Sequence, residues 1–189
     1  PEELEQLERL SLTGKHMKLQ KSLDAFLFCC YAGMRYSDFT NLSKKNIVDI
    51  NQETWLIYKS VKTGTEVRLP LYLLFAGKGI VILNKYRNNL EDFFRLRDNS
   101  NINKDLIIIA KLAGLSKKIS FHTARHTNAT LLIYNGVNIT TVQKLLGHKS
   151  VKTTQVYTNI MDMTIVHDLE KMKQAALGIK KKTDNSFNK

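Results

Sequence analysis

Residues 121–157 constrain the fold of this chain more than any other stretch. They begin with Phe-His-Thr-Ala-Arg-His-Thr, continue as an apolar-periodic segment, pass through Leu-Leu-Gly-His and end on a tyrosine. The periodicity predicts a helix over residues 123–135. A second helix follows, which Asn138 or Thr140 caps and Gly147 closes. The stretch therefore brings histidines, which can exchange protons, into sequence with an arginine that can bind a phosphate and with a downstream tyrosine.

The N-terminal part of the chain has the pattern of helices. Residues 2–10 and 18–34 carry apolar side chains at helical spacing. Gly33 marks the end of the second helix. Ser37 is placed to cap a further short helix that reaches Leu42.

The pattern changes to strands after Asn46. Three segments have strand-like composition, at residues 47–50, 55–58 and 65–69. Gly64 supplies the permissive backbone for the turn between the last two, and Pro70 ends the sheet. The fold class expected is therefore α+β, mainly helical, with one small three-stranded antiparallel sheet.

The middle of the chain gives weaker signals. Gly77 and Gly79 are expected to break one helix from another. Residues 87–103 are polar and are expected to form a loop. Residues 103–113 are predicted to form a helix, with Gly114 as its C-terminal cap.

The C-terminal part combines a short element, a helix and a tail. Residues 150–157 are expected to form a short helix or a turn. Residues 165–177 have the spacing of a final amphipathic helix, and a run of lysines and a polar tail follow it.

The composition indicates a basic globular protein. Its net charge is +12, with 29 Lys and Arg against 17 Asp and Glu. Such an excess is common in proteins that bind phosphate backbones, and it is also found in lysine-rich proteomes. Cys29 and Cys30 are adjacent in an apolar run, so we expect buried thiols in a reducing, cytoplasmic compartment. No apolar run approaches membrane-spanning length.

Two histidines raise the question of a metal. His122 and His126 lie four residues apart and can share a helix face. A zinc protease of that spacing has Glu after the first histidine, where this chain has Thr123. We therefore expect no metal.

Other side chains fit phosphate chemistry. Cutting a nucleic-acid backbone without a metal requires a nucleophile, positive charge on the non-bridging oxygens and an acid for the leaving oxygen. The side chains that can supply these are Arg35, Lys62, His122, Arg125, His148 and Tyr157. Several of these residues also have an ordinary structural explanation. Arg35 follows a helix end, where a basic residue often only interacts with the helix dipole. Turn lysines are usually solvated, and Tyr157 can be a half-buried core residue.

The order and local context of these residues resemble the catalytic domain of the tyrosine recombinases, the phage and mobile-element integrase family. Residues 33–38 resemble the first arginine box of that family, and Lys62 matches its hairpin lysine. Residues 122–127 match the second box. Residues 145–148, followed by Tyr157, match the third.

The resemblance implies a role for each matching residue. Arg35 and Arg125 would bind the scissile phosphate and stabilise its transition state. Lys62 would protonate the leaving 5′ oxygen, and Tyr157 would form a 3′-phosphotyrosine.

The remaining matches imply supporting roles. His122 would help the tyrosine exchange its proton, and His148 would hydrogen-bond a non-bridging oxygen. Asp38 falls where the family has an acidic residue that buttresses the site. His126 is expected to orient its helix. Asn128 departs from the family, whose members often carry an apolar or aromatic residue there.

The family resemblance also implies the function and the partners. The expected activity is site-specific cleavage and rejoining of duplex DNA during integration or recombination of a mobile element, with no cofactor. A type IB topoisomerase and a catalytically silent DNA-binding module are the alternatives. The expected partners are double-stranded DNA, a homo-tetramer linked through the C-terminal helix, and host or accessory DNA-bending proteins. The expected location is the cytoplasm, at the nucleoid.

The expected domain organisation follows the same resemblance. Residues 1–160 would form the catalytic domain, and residues 161–189 the C-terminal helix and basic tail. The chain begins on Pro1, so we expect a fragment or processed product that lacks the N-terminal DNA-clamping domain of its relatives.

Overall fold

The computed structural model describes residues 2–157, together with residues 169, 172 and 173. Its helices are α1 (Glu2–Arg9), α2 (Gln20–Ala32), α3 (Tyr36–Thr40), α4 (Lys78–Lys85), α5 (Leu90–Phe94), α6 (Asn99–Leu112), α7 (Phe121–Tyr134), α8 (Ile139–Leu146) and α9 (Lys152–Gln155). Its strands are β1 (Ile47–Ile50), β2 (Glu53–Lys59) and β3 (Glu66–Pro70). Short 3₁₀ turns lie at Gly14–Leu19, Lys44–Asn46 and Leu74–Gly77.

Helix α2 lies at the centre of the core. From Ser22 to Ala32 every one of its residues is buried. A helix that is apolar on most sides requires neighbours around it, and α2 packs against α4, α6 and α7. Cys29 and Cys30 are fully buried free thiols, as expected, and burial raises the pKa of both.

The three strands form one antiparallel sheet in the order β1-β2-β3. Strand β2 pairs with β3 so that Leu56 lies opposite Leu69 and Tyr58 opposite Val67. These four side chains are buried, so this face of the sheet joins the core. The predicted fold class, mainly helical with a three-stranded antiparallel sheet, is confirmed.

The prediction of a loop over residues 87–103 is wrong. Helix α5 and the first turn of α6 occupy much of it, and Phe93 and Phe94 are buried against Phe39 with ring centroids 5.3 and 5.4 Å apart. Two of the polar residues that indicated a loop, Asn89 and Asp98, are helix caps. The side chain of Asn89 accepts from the N–H of Asp92, and that of Asp98 from the N–H of Asn101.

Two smaller predictions are also wrong. The helix break lies at residues 75–77, where Phe75, Ala76 and Gly77 all have positive φ, whereas Gly79 is buried inside α4 against Phe28. Ser37 does not cap α3, because the cap position is held by Arg35 in an extended conformation.

The helix boundaries around the opening stretch follow the sequence. Asn138 caps α8 through the N–H of Thr140, and Gly147 ends it in a left-handed conformation. Helix α7 begins two residues earlier than predicted, because Ser120 and Thr123 cap each other's backbone N–H groups.

The predicted C-terminal helix over residues 165–177 and the tail lie outside the described residues, except for three positions. Leu169, Met172 and Lys173 are helical and exposed. Within the described part of the chain, no helix is both long and apolar enough to cross a bilayer.

Candidate active site

Arg35 stands where the central helix ends. Gly33 turns the chain through a left-handed conformation, and Arg35 then adopts an extended one before α3 begins. Its Nη1 lies 3.3 Å from Ser60 Oγ and 3.5 Å from the carboxylate of Asp38. Both of these contacts are made by the same nitrogen of the guanidinium, and the side chain is 17% exposed.

Asp38 is a buried carboxylate that joins α3 to the β2–β3 turn. One oxygen accepts a 2.8 Å hydrogen bond from the N–H of Val61, and the other lies 3.4 Å from Ser60 Oγ and faces Arg35. A buried charge requires such partners. The carboxylate therefore fixes the turn and the arginine relative to each other.

Lys62 lies on the tip of this turn. Two backbone hydrogen bonds close the turn. The N–H of Ser60 donates to the carbonyl of Thr65, and the N–H of Gly64 donates to the carbonyl of Ser60. Thr63 Oγ1 donates a 3.1 Å hydrogen bond to the carbonyl of Gly147, at the end of α8. Lys62 is exposed and makes no hydrogen bond or ion pair with the other described residues.

Arg125 is a buried cation, with 2% of its surface exposed. Its guanidinium donates to the carbonyls of Gly33, at 2.7 Å, and Leu146, at 2.6 Å. Burial, and then the charge of Arg35, lowers the pKa of Arg125 to about 10, so it remains protonated at neutral pH. It joins the ends of α2 and α8.

Asn128 holds the same junction from the next turn of α7. Its amide donates to the carbonyls of Cys30 and Tyr31, both at 2.9 Å, which lack helical partners at the end of α2. Its oxygen occupies space that a side chain at Gly33 would need, because a Cβ there would lie 2.6 Å away. The amide at this position therefore caps the end of α2.

His122 and His126 share one face of α7. Their ring centroids are 4.4 Å apart in an edge-to-face arrangement, and the ring of His126 lies 5.4 Å from that of Tyr157. Burial, then the charges of His126 and Arg125, lowers the pKa of His122. Among the described residues, no cluster of three or more His, Cys, Asp and Glu side chains is arranged to hold a metal ion.

His148 follows the turn that ends α8. Its Nδ1 lies 2.8 Å from Thr154 Oγ1, and both residues are buried. Burial, then the charges of Arg125 and Arg35, lowers the pKa of His148 to about 4. The ring is therefore neutral at physiological pH.

Tyr157 lies just after α9, with 8% of its surface exposed. Burial raises the pKa of its phenol, while the charges of Arg125 and Arg35 act in the opposite direction. The phenol therefore carries its proton at rest, while the charges of the two arginines favour its anion.

The structure brings the predicted residues together from four separate parts of the chain. The charges of Arg35 and Arg125 act on both His148 and Tyr157. Lys62 lies at the edge of the group, where its charge acts on His122. Sequence reasoning missed Ser60, Thr63 and Thr154, and treated Asn128 as a mere departure, because single polar residues give no local signal of a distant partner.

The model of the phage integrase family matches residues 1–163. The chain belongs to the phage integrase family.

Relatives in the phage integrase family are named as tyrosine recombinases, which confirms the resemblance predicted from the sequence. The tyrosine recombinase XerC of Rickettsia prowazekii is 29% identical over 185 residues, covering 93% of this chain and 58% of the relative. A tyrosine recombinase of Pseudothermotoga lettingae is 30% identical over 179 residues, covering 92% and 60%. The chain therefore spans less than two thirds of the length of these relatives.

Solved structures of integrases and recombinases have the same fold. The crystal structure of XerA recombinase superposes with a TM-score of 0.66 at 25% identity, covering 90% of this chain and 63% of the other. The Tn1549 transposon integrase, in complex with transposon right end DNA, gives 0.65 at 17% identity, covering 93% and 64%.

Proposed function

We propose that this protein cleaves and rejoins duplex DNA at specific sites through a covalent 3′-phosphotyrosine, and that it thereby integrates or recombines a mobile element. The observation that supports this most is the position of Tyr157 within the field of Arg35 and Arg125. A phenol near two guanidinium groups can become an anion, and the same cations can hold a phosphate. The XerH and Tn1549 proteins of similar fold were solved with DNA.

The two arginines have separate tasks in this proposal. The guanidinium of Arg125 is fixed by hydrogen bonds to two backbone carbonyls, so it supplies a preorganised positive charge beneath the phosphate. Arg35 is anchored only on one side, by Ser60 and Asp38, and it can offer its free N–H groups to a non-bridging oxygen. Asp38 fixes the position of Arg35 relative to the β2–β3 turn that carries Lys62.

The proton movements follow from the environments of the other groups. In the cleavage step the Tyr157 oxygen bonds to phosphorus, the bond from phosphorus to the 5′ oxygen breaks, and two protons move. His122, whose pKa is lowered, is neutral and accepts the phenol proton. Lys62 gives its proton to the leaving 5′ oxygen. His148 donates a hydrogen bond to a non-bridging oxygen. His126 contacts both His122 and Tyr157 and orients the tyrosine ring.

The decisive experiment removes one hydroxyl. Tyr157→Phe keeps the cationic pocket, so we expect it to bind DNA about as tightly as the parent but to form no covalent complex. The matched control is Tyr72→Phe, because Tyr72 packs on Trp55 at the sheet, away from the site. A protein-linked DNA band on a denaturing gel with the Tyr157 variant would rule out this nucleophile. A silent DNA-binding module would give no such band even in the parent.

We further propose that the active assembly is a homo-tetramer on paired DNA sites, linked by the C-terminal helix. Leu169 and Met172, on the predicted apolar stripe of that helix, are 58% and 69% exposed. A cavity of about 410 Å³ between α1, α2 and α7 is lined mainly by apolar side chains, and His126 also borders it. We propose that the apolar stripe of this helix docks into the cavity of a second copy. A helix bound there would contact His126, whose ring lies 5.4 Å from that of Tyr157. Nucleoid association and accessory DNA-bending partners belong to the same proposal.

Removing the C-terminal helix tests this assembly. In a protein that ends at Thr164, recombination of paired sites should decrease more than cleavage of a single site. A variant that keeps all 189 residues but carries Leu169→Glu and Met172→Glu should have the same effect, because both changes place a charge on the apolar stripe. If both activities fall equally, the helix stabilises its own domain instead.

A further inference from the structure

Thr154 carries a buried hydroxyl, and its side-chain partner among the described residues is His148. No part of the residue is exposed, and its Oγ1 lies 2.8 Å from Nδ1 of His148. Its backbone carbonyl accepts a 3.1 Å hydrogen bond from the N–H of Tyr157. Thr154 therefore connects the ring of one predicted site residue to the backbone of another.

The direction of the hydroxyl bond follows from burial. A threonine hydroxyl has one O–H donor, and within the described residues Nδ1 is the only acceptor that Thr154 Oγ1 reaches. If the ring donated instead, the buried O–H would have no acceptor among the described residues, and a buried donor without an acceptor costs more than an unused lone pair. The hydroxyl therefore donates, and the ring keeps its proton on Nε2.

We propose that Thr154 is a positioning residue that selects the neutral Nε2–H tautomer of His148, so that this ring acts as a fixed, uncharged hydrogen-bond donor to the scissile phosphate. The proposal rests on the proposed strand-cleavage function. The two ring nitrogens point in different directions, so an Nδ1 held by Thr154 directs Nε2 away from α9. The charges of Arg125 and Arg35, which act on this ring, oppose a second proton on it.

The variants that test this differ by single groups. Thr154→Val keeps the shape of the side chain and removes the hydroxyl, whereas Thr154→Ser keeps the hydroxyl. The matched control is Thr153→Val, because Thr153 lies on the same short helix but is exposed.

The first measurement is the tautomer itself. Two-bond nitrogen–proton correlation spectra of protein with ¹⁵N-labelled histidine report the tautomer of each of the five histidines, and His148→Gln assigns the signal. We expect the Nε2–H form in the parent, the Thr153→Val control and Thr154→Ser, and a mixture of tautomers in Thr154→Val. An Nδ1–H form in the parent overturns the proposal without any variant. So does an unchanged tautomer in Thr154→Val.

The second measurement separates positioning from folding and binding. We expect Thr154→Val to slow covalent cleavage about tenfold, the cost of one lost hydrogen bond, with unchanged DNA affinity. Thr154→Ser should restore most of the rate, and a serine variant as slow as valine overturns the proposal. If the parent forms no covalent adduct, the proposed function fails instead, and the tautomer spectra alone decide the role of Thr154.

Discussion

At the scale of single residues, the site contains two kinds of cation. Arg125 is buried and its guanidinium is bonded to two backbone carbonyls. Lys62 is exposed on a hairpin turn and has no partner among the described residues. A cation that is already fixed suits charge stabilisation, whereas a mobile ammonium on a turn can approach a leaving oxygen once DNA docks.

This difference predicts a chemical rescue of Lys62→Ala. An alkoxide leaves poorly without a proton, so the variant should cleave normal DNA about 10²- to 10⁴-fold more slowly than the parent. A substrate with sulfur at the bridging 5′ position expels a far less basic thiolate, so on it the variant should approach the rate of the parent.

Two controls define this result. Arg35→Ala should remain slow on both substrates, because its task is charge stabilisation. Lys59→Ala, an exposed lysine of the same hairpin, should be near parental on both. If sulfur does not restore Lys62→Ala, Lys62 positions DNA and another group is the acid.

At the scale of secondary-structure elements, three helices meet at one junction. The ends of α2 and α8 are held by Arg125 and Asn128, which lie on successive turns of α7. Gly33 lies between them with a φ of 67°. A shift of its carbonyl would remove one of the two acceptors of Arg125, so the stability of the core and the geometry of the site are linked here.

The junction predicts unequal costs for two glycine substitutions. Gly33 and Gly114 both have positive φ, but an added Cβ meets Asn128 Oδ1 at 2.6 Å and Leu146 Cδ2 at 2.8 Å in the first case and nothing within 4 Å in the second. Gly114→Ala should lower the free energy of unfolding by about 1–2 kcal/mol, the cost of a left-handed alanine. Gly33→Ala should lower it by a further ~1–3 kcal/mol, since the core must shift.

Urea unfolding measures the difference between these two variants directly. Covalent cleavage by Gly33→Ala should also decrease at temperatures where the variant remains folded, because Arg125 loses its position. Equal unfolding free energies for the two variants would mean that the junction adapts to a methyl group at no cost.

At the scale of the whole molecule, charge and fold act together. The chain carries 29 Lys and Arg against 17 Asp and Glu, and the fold gathers Arg35, Arg125 and Lys62 at one site. A polyanion that docks there meets positive charge in addition to the local contacts of the site.

This excess predicts DNA binding that depends steeply on salt. With six to ten phosphate contacts, affinity should fall about 10³- to 10⁵-fold between 50 and 200 mM salt. Tyr157→Phe is the appropriate protein for the measurement, because covalent trapping does not distort its equilibrium. A flat response would mean that the basic residues do not form the binding surface.

The sequence by itself determined the features that depend on near neighbours. The ends of α2 and α8 at Gly33 and Gly147, the three strands and the spacing of the family motifs are all readable, because capping and periodicity act over a few residues. These signals were sufficient for the fold class, the family and the candidate residues.

Only the tertiary structure decided how these residues are held. The acceptors of Arg125 are 92 and 21 residues away along the chain, and Asn128 reaches carbonyls 97 and 98 residues away. Likewise, Phe93 became part of a core helix because Phe39 covers it. Hydrogen bonds and packing between distant segments exist only after the helices assemble, so no local pattern in the sequence encodes them.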